Sequence, residues 1–328
     1  MEWVVCDLCG LDNGKKVVEQ SDILHGVTDE RFTVVRCEGC GLHYTNPRPA
    51  PNEIDRYYSK HYNFHAAVPG WRKYAEILLE RIAISPLAHI AVLLPPLARI
   101  LAARIRPQIE DPVLSYIRKG TCASFLDIGC GAGIHTHFWG HASSLNACKK
   151  HVSVAGVEIS DRARSSLAKQ GIDNWATIDD VPLDRRFSLI RMNWSLEHVH
   201  APDAYFSFIS ARMLSEGRCI IAVPNHEGLL YRIAPDCLEL PIHLYHFRLH
   251  DIEAYAARHN LRITHTQTFS YPGMFAQAAR AKMLPSSFLA AENLSIALKM
   301  QDILSMFDMA GMGNDLVVVL EKCDARAQ

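Results

Sequence analysis

Three glycines stand at alternate positions directly after a short apolar run. The run is Ser124 to Ile128, and Gly129, Gly131 and Gly133 follow it before a helix that we expect to begin near residue 134. Glycine has no Cβ and adopts positive φ readily, so a ligand can lie against the bare backbone of such a turn. The free N–H groups of the following helix can then face an anionic group. The segment therefore predicts a strand, a ligand-binding turn and a helix.

The glycine spacing and two acidic residues indicate which kind of nucleotide-like ligand would bind. The pattern is Gly-x-Gly-x-Gly with Asp127 before it, whereas dinucleotide-binding sites use Gly-x-Gly-x-x-Gly. A cofactor without phosphate, such as S-adenosylmethionine (SAM), needs close backbone approach and a carboxylate for its ammonium group. The glycine triplet alone would equally suit a structural turn. Glu158 favours the cofactor, because it ends the next predicted strand, where a carboxylate can accept both ribose hydroxyls.

Four cysteines near the N-terminus form two Cys-x-x-Cys pairs, Cys6 with Cys9 and Cys37 with Cys40. Each pair puts two thiolates on one tight turn, and two such turns can close a tetrahedral Zn²⁺ site. The alternating segment from 31 to 36 fits a strand of a zinc ribbon. Because four cysteine ligands leave no open coordination position, we expect a structural zinc rather than a catalytic zinc or a redox pair.

The rest of the chain alternates between apolar strands and helices, which predicts a doubly wound α/β domain. Ser160 can cap a helix that runs to Lys169 and stops at Gly171. Ligands of such sheets bind beyond the carboxyl ends of the strands. A turn near residues 311–315 leads into a closing antiparallel strand. The predicted strands of this domain are 124–128, 152–159, 187–192, 219–223, 261–269 and 316–320.

These blocks resemble the class I SAM-dependent methyltransferases in content and in order. The resemblance covers about residues 110 to 325 and implies a mostly parallel, Rossmann-like sheet with SAM as the cofactor. Asp179, rather than Asp180, falls where the family contacts the adenine amino group. The matching blocks are Leu126-Asp-Ile-Gly-Cys-Gly-Ala-Gly133, Val157-Glu-Ile-Ser160, Phe187-Ser-Leu-Ile190, Leu196-Glu-His-Val199, Leu214-Ser-Glu-Gly217 and Ala222-Val-Pro-Asn225. The cofactor-binding residues implied by the resemblance are Asp127, Gly129, Gly131, Gly133, Glu158, Ile159, Asp179, Asn193 and Trp194.

The ribbon, the Asn46-Pro-Arg-Pro49 segment after it and the methyltransferase blocks together are similar to a narrower bacterial group. Its members act on sugars or other small biosynthetic molecules and include zinc-containing C-methyltransferases of nucleotide-linked keto-deoxysugars. The resemblance implies that Tyr58 and Tyr62 reach over the substrate, although they could instead pack the ribbon onto the core. Those enzymes carry a Glu-His pair near the start of a later helix. Here His243 holds the histidine position, but Ile242 holds the glutamate position.

Histidines are the candidates for proton removal. The sulfonium of SAM already makes its methyl group electrophilic, so the protein must mainly align a nucleophile and take up its proton. We expect His243 to be the base, with His226, His246 and His198 as further candidates and His246 near the substrate. Because Ile242 removes the orienting carboxylate, both the base role and a keto-sugar substrate stay open. His25 and His43, near the cysteines, are predicted to be ordinary polar surface residues.

The composition limits the partners and the location. The 34 basic and 35 acidic residues nearly cancel, so we expect no nucleic-acid partner. No signal peptide precedes the cysteines, which favours a reducing cytoplasm. The most apolar stretch, 82–105, contains three prolines and charged residues and is not expected to span a membrane. It would cover the core, form a homodimer surface, or contact a membrane surface near a lipid-linked substrate.

The sequence therefore predicts a zinc ribbon (1–48), a helical linker or cap (49–108) and a methyltransferase domain (109–328). A helical insertion at about 274–310 would cap the substrate. The predicted activity is SAM-dependent methyl transfer to a small biosynthetic acceptor: a sugar, a nucleotide-linked sugar or a secondary metabolite. Two alternatives are a methyltransferase whose ribbon reads RNA or protein, and a non-catalytic interaction protein. The acidic excess in residues 1–60 argues against the RNA reader, and the complete cofactor motif argues against a scaffold.

Overall fold

Two β-sheets organise residues 1–58, 123–133 and 152–323, which are the residues described by this computed structural model. The strands are β1 (Gly14–Ser21), β2 (Arg31–Cys37), β3 (His43–Thr45), β4 (Ser124–Ile128), β5 (Ser153–Val157), β6 (Asp173–Trp175), β7 (Phe187–Asn193), β8 (Met213–Pro224), β9 (Tyr245–His246), β10 (Leu261–Phe269) and β11 (Asp315–Lys322). The α-helices are α1 (Asp161–Lys169), α2 (Pro202–Arg212), α3 (Leu229–Ile233), α4 (Leu249–Arg258), α5 (Pro272–Arg280) and α6 (Leu294–Met309). Short 3-10 helices cover Ile54–Tyr57, Ile178–Asp180, Leu196–His198 and Ser286–Glu292.

The larger sheet has seven strands in the order β10-β11-β8-β7-β4-β5-β6. Strands β4 to β8 pair in parallel, whereas β11 is antiparallel to both of its neighbours, β8 and β10. The central strands β4 and β7 are buried almost throughout, as expected when helices cover both faces of a parallel sheet. The predicted fold class, a mostly parallel Rossmann-like sheet with one antiparallel strand, is confirmed.

The helix predicted after the second core strand forms as the capping residues suggest. The Ser160 side chain accepts a hydrogen bond from the backbone N–H of Ala163 at the start of α1. Gly171, with φ of 71°, ends the turn after it in the left-handed region that favours glycine. Because β4 and β5 are parallel neighbours, the glycine loop after β4 and the loop before α1 lie together at the carboxyl edge of the sheet.

The smaller sheet joins the N-terminal segment to a strand about 200 residues later in the sequence. Its order is β1-β2-β3-β9, so three strands from the first 45 residues are completed by a strand from residues 245–246. Phe32, Val34 and Leu42 belong to the same buried cluster as Tyr245 and Phe247. The hydrophobic core is therefore continuous from the N-terminal sheet into the methyltransferase-like sheet.

The segment predicted as a helical insertion is divided into α5, a 3-10 helix and α6. Pro285 precedes the 3-10 helix, and the Asn293 side chain caps α6 by accepting from two backbone N–H groups. These breaks explain why one long helix does not form. Tyr62 and the apolar stretch 82–105 lie outside the described residues. Within the described ranges, no helix has the length and apolar character needed to cross a membrane.

Candidate active site

The glycine loop after β4 has the conformation that its residue types require. Gly129, Gly131 and Gly133 all have positive φ, at 75°, 53° and 79°. A Cβ on Gly129 would clash with the Ser195 side chain, and one on Gly133 would clash with Leu167. The loop thus brings bare backbone to the carboxyl edge of the sheet, which is the cradle that a nucleoside cofactor needs.

Glu158 connects this glycine loop to the loop after β5. Its Oε2 accepts a hydrogen bond from the Gly131 N–H at 2.8 Å, and its Oε1 accepts from the Ser160 N–H at 2.9 Å. The side chain is almost completely buried. These contacts hold the carboxylate beside the glycine loop, and its contact with the ribose stays a prediction. Ile159, the next residue, is 64 % exposed.

The two candidate adenine-contacting carboxylates have different surroundings. Asp180 Oδ2 accepts hydrogen bonds from both the backbone N–H and the hydroxyl of Thr177, at 2.9 Å each. Asp180 therefore stabilises its own turn, as a capping residue does. Asp179 is exposed on the same turn, which agrees with assigning the adenine contact to Asp179 rather than to its neighbour.

Asp127 forms a buried ion pair that the sequence did not predict. Arg191 is its register partner on β7 and donates two hydrogen bonds to its carboxylate, Nε to Oδ1 at 3.0 Å and Nη2 to Oδ2 at 2.7 Å. Both side chains are almost fully buried. A bidentate pair of this kind compensates both charges in the core. The predicted contact of Asp127 with the ammonium group stays a prediction, and its carboxylate would be shared between the ammonium and Arg191.

The residues after β7 are held against the antiparallel strand β11. Trp194 has a φ of 49°, and its Nε1 donates a hydrogen bond of 2.9 Å to Asp315 Oδ1. Its ring packs edge-to-face on Phe269 at a centroid distance of 6.2 Å. Burial raises the pKa of Asp315 to about 7, although the Trp194 hydrogen bond lowers it. Asn193 precedes Trp194 and is half-buried at the end of β7.

The four N-terminal cysteines converge on one point. Their sulfur atoms all lie within 4.8 Å of one another, and Cys6 Sγ–Cys40 Sγ and Cys9 Sγ–Cys37 Sγ are each 3.4 Å apart. Tetrahedral zinc with Zn–S bonds of about 2.3 Å requires S–S distances of roughly 3.8 Å. The glycine after each pair has positive φ, at 76° and 83°, which closes the turn around the sulfurs. The donor set and its geometry fit Zn²⁺.

A pocket at the carboxyl edge of the sheet contains several of the predicted histidines. The space between their side chains is small and partly open to solvent. The pocket thus brings together His226, His243 and His246, three residues that the sequence proposed for chemistry or substrate binding. The lining residues are Pro224, His226, Tyr231, Leu238, His243, Tyr245 and His246.

The N-terminal sheet holds one wall of this pocket, the pocket loop (residues 238–246). Gln20 Nε2 donates a hydrogen bond to the Leu238 carbonyl at 2.9 Å, and Thr45 Oγ1 donates to the His243 carbonyl at 3.0 Å. Strand β9, at the end of the pocket loop, pairs with β3. The position of His243 therefore depends on the N-terminal sheet as well as on the larger domain.

The pocket histidines are uncharged at neutral pH. Burial lowers the pKa of His226 to about 4, lowers that of His243, and lowers that of His246 well below its usual value. His43 does not match the prediction of an ordinary surface residue: its ring packs 4.9 Å from that of His226, and burial lowers its pKa to about 3. Each imidazole thus keeps a lone pair that can accept a proton or bind a cation.

Glu239 supplies the carboxylate that the sequence pattern lacks at Ile242. The backbone N–H of His243 bonds to the Glu239 carbonyl, and this turn places Glu239 Oε2 3.8 Å from His243 Nε2. The same oxygen is 3.0 Å from His25 Nε2. The prediction that His25 is an ordinary surface residue is wrong, since this hydrogen bond raises its pKa above the usual value despite partial burial.

Tyr58 and His198 lie beside the same loop. The Tyr58 hydroxyl is 3.3 Å from His198 Nδ1, and that nitrogen is 2.9 Å from the Ile242 carbonyl oxygen. The His198 ring contacts the His243 ring edge-to-face at a centroid distance of 4.7 Å. Of the predicted histidines, the structure therefore groups His198 with His243, and Tyr58 joins them.

A family model described as a methyltransferase domain matches residues 91–266, which is more than half of the chain. The chain belongs to this methyltransferase family. It is a class I SAM-dependent methyltransferase, as its glycine loop, Glu158 and sheet order also indicate. A search of curated protein sequences finds no match to the chain.

Three solved structures illustrate the likeness of this methyltransferase to others. An O-methyltransferase from the trans-AT PKS multienzyme of Brevibacillus brevis, in complex with S-adenosyl-L-homocysteine, is 14 % identical with a TM-score of 0.42, over 74 % of this chain and 79 % of that chain. An S-adenosylmethionine-dependent methyltransferase from Clostridium acetobutylicum is 11 % identical with a TM-score of 0.42, over 78 % and 100 %. Coclaurine N-methyltransferase, bound to N-methylheliamine and SAH, is 13 % identical with a TM-score of 0.41, over 82 % and 93 %.

Sequence reasoning missed several residues of this methyltransferase site because their partners are distant in the chain. Arg191 is recognisable only from the register between β4 and β7. Asp315 begins the antiparallel strand, and the sequence pattern around it predicts only a turn. Glu239 carried a usable signal, because it lies four residues before His243, the spacing of one helical turn.

Proposed function

We propose that this methyltransferase transfers the methyl group of SAM to a small biosynthetic acceptor, at O, N or C. The observation that carries the proposal is the pocket between His226, His243, His246 and Tyr231. It lies at the carboxyl edge of the sheet, the same edge as the glycine loop, so both ligands would meet there. Its lining of neutral imidazoles suits a small polar molecule better than the charged backbone of RNA.

Residues of the glycine loop and its neighbours would bind the cofactor. Glu158 would accept the ribose hydroxyls, Asp179 would accept the adenine amino group, and Asp127 with Arg191 would face the methionine end. Asn193 and Trp194 would line the cofactor where it approaches the acceptor pocket. The bound cofactor supplies an electrophilic methyl group, so the chain itself has to orient the acceptor and remove its proton.

Proton removal would fall to one of two pocket histidines, His243 or His226. Both are neutral at physiological pH because burial lowers their pKa values, and a general base must be unprotonated to act. Glu239, 3.8 Å from His243, would stabilise an imidazolium formed there. His226 lines the same pocket without a carboxylate at that distance among the described residues.

The cysteine cluster would hold a structural Zn²⁺ and so maintain the pocket. The four sulfurs occupy all positions of a tetrahedral site, which leaves none for catalysis. Because the N-terminal sheet contacts the pocket loop through Gln20, His25 and Thr45, the metal would act on substrate binding at a distance. The proposed role of the zinc ribbon is therefore to build one wall of the acceptor site.

The test combines cofactor binding with acceptor screening. Wild-type protein should bind S-adenosylhomocysteine, and it should transfer labelled methyl from SAM to a member of a panel of sugars, nucleotide-linked sugars and secondary metabolites. His243→Ala and His226→Ala should retain cofactor binding, and the variant that loses about a hundredfold or more in turnover identifies the base. If the labelled methyl group appears only in RNA or protein fractions and in no small molecule, the substrate is a macromolecule and this proposal is wrong.

A further inference from the structure

A second group of side chains of metal-ligating types lies beside the acceptor pocket. Glu197, His198 and His243 each offer one ligand atom, and these atoms all lie within 4.8 Å of one another. Glu197 and His198 belong to the short 3-10 helix after β7, whereas His243 belongs to the pocket loop. The backbone N–H of Leu244 donates a hydrogen bond to the Glu197 carbonyl, so the two segments are held together independently of their side chains.

Glu197 is the unusual member of this group. Its side chain is 1 % exposed, and none of the described residues donates a hydrogen bond to either carboxylate oxygen. A buried carboxylate without donors is strongly unfavourable unless a cation or another donor compensates it. Protonation would not remove the difficulty, because the acid O–H would then need an acceptor of its own. A bound cation would satisfy both oxygens.

His198 has the orientation that metal-binding histidines adopt. Its Nδ1 lies 2.9 Å from the Ile242 carbonyl oxygen. Because a carbonyl only accepts hydrogen bonds, this contact places the hydrogen on Nδ1 and leaves the lone pair on Nε2. His198 Nε2 is 4.0 Å from Glu197 Oε1, a separation that one ion can bridge. A carbonyl behind the ligating imidazole is a common outer partner that holds such a ring in position.

His243 completes the set from the opposite segment. Its ring lies edge-to-face against that of His198, and its Nε2 is 3.8 Å from Glu239 Oε2. Two neutral imidazoles and one carboxylate are the usual protein ligands of zinc and ferrous ions in sites that keep open coordination positions. Since His243 lines the acceptor pocket, those open positions would be directed toward it.

We propose that Glu197, His198 and His243 bind a divalent transition-metal ion of the zinc or ferrous type, separate from the metal of the cysteine cluster. An oxygen of the acceptor would occupy an open position, and its O–H bond would be polarised there. With its lone pair given to the ion, His243 is not the base, and the proton passes to His226. The metal site itself does not rest on the proposed methyl acceptor.

Metal content and cobalt spectra of the purified full-length protein test the site without any activity assay. After saturation with Zn²⁺ and removal of free metal, the wild type should contain two ions per chain. Substitution with Co²⁺ should give intense thiolate-to-cobalt bands from the cysteine cluster and, separately, weaker bands of a nitrogen and oxygen site. Glu197→Gln and His198→Ala should each lose the second ion and the weaker bands, and keep the thiolate bands. His226→Ala is the matched control and should keep both.

Retention of the thiolate bands shows that each variant is folded around the cysteine cluster, and a thermal unfolding curve confirms it. One ion per chain in the saturated wild type, with thiolate bands only, would overturn the proposal. So would two ions in both Glu197→Gln and His198→Ala. Either result would leave the methyl-transfer proposal intact and would return His243 to the role of base.

Discussion

Replacing Glu158 with alanine is expected to weaken cofactor binding far more than it weakens the fold. The carboxylate accepts hydrogen bonds from the N–H groups of Gly131 and Ser160, and in the proposed complex it also accepts the two ribose hydroxyls. Alanine removes all of these acceptor interactions, including the two ribose contacts. Two of them exist only with the cofactor bound, so their loss appears in the dissociation constant.

The size of each effect follows from the number of hydrogen bonds. A hydrogen bond to a charged group contributes about 1.5–3 kcal/mol, so two ribose contacts at the lower value give about 3 kcal/mol, or roughly a 150-fold weaker dissociation constant. The buried Gly131 N–H would lose its acceptor in the free protein, which lowers the free energy of unfolding by about 1–3 kcal/mol. The variant should therefore remain folded at room temperature.

Isothermal titration with S-adenosylhomocysteine measures the dissociation constant, and urea unfolding measures the free energy of unfolding. Asp161→Asn is a suitable control, since Asp161 is an exposed carboxylate near the same loop that pairs with Arg164. Its dissociation constant should match that of the wild type. If Glu158→Ala stays folded and binds S-adenosylhomocysteine within about threefold of the wild type, the ribose assignment is wrong and the cofactor lies elsewhere on the sheet edge.

Three further predictions concern the cysteine cluster and two titrating groups. Cys37→Ser should lower methyl transfer to the acceptor at least tenfold while S-adenosylhomocysteine affinity changes less than about threefold, because the N-terminal sheet holds the pocket loop. His25 has a raised pKa through its hydrogen bond to Glu239, so its contribution to stability is complete below about pH 6.5 and is lost as pH rises through its folded pKa. The loss of stability between pH 6 and pH 8.5, measured by urea unfolding, should be smaller in His25→Ala than in the wild type. Burial raises the pKa of Asp315 from 3.8 to about 7, so the native state binds the extra proton and stability falls as pH rises through that window. Asp315→Asn, which keeps an acceptor for Trp194, should make this fall smaller and should unfold at higher urea than the wild type at pH 8.

The elements closest in sequence were the most predictable. Strand β4, the three glycines and Glu158 fall within a short stretch of the sequence, and the glycine loop depends on local spacing and on positive φ. The four cysteines were predictable for a similar reason, because thiolate ligands in Cys-x-x-Cys pairs have few other uses. Local constraints thus determine most of the cofactor edge and the cysteine cluster.

The acceptor side was less predictable because it is assembled from distant segments. His25, His198 and Glu239 come from three separate segments of the chain, and only tertiary packing determines that they lie close to His243. Burial also changes their chemistry: residue type alone gives a histidine a pKa near 6.5, whereas burial lowers that of His198 to about 3. The sequence could identify histidines as candidates. It could not show which of them line the same pocket or which of them are charged.

The pairing of β9 with the N-terminal strand β3 also has a consequence for how the chain folds. Thr45 donates to a carbonyl that lies 198 residues later in the chain, so the N-terminal sheet cannot be completed until most of the protein has been synthesised. Closing so long a loop carries a large entropic cost and slows folding. During translation, the nascent N-terminal segment would depend on metal chelation by its own cysteines to stay ordered. Pairing of β9 with β3 would then be a late event, and the acceptor pocket would be the last part of the enzyme to form.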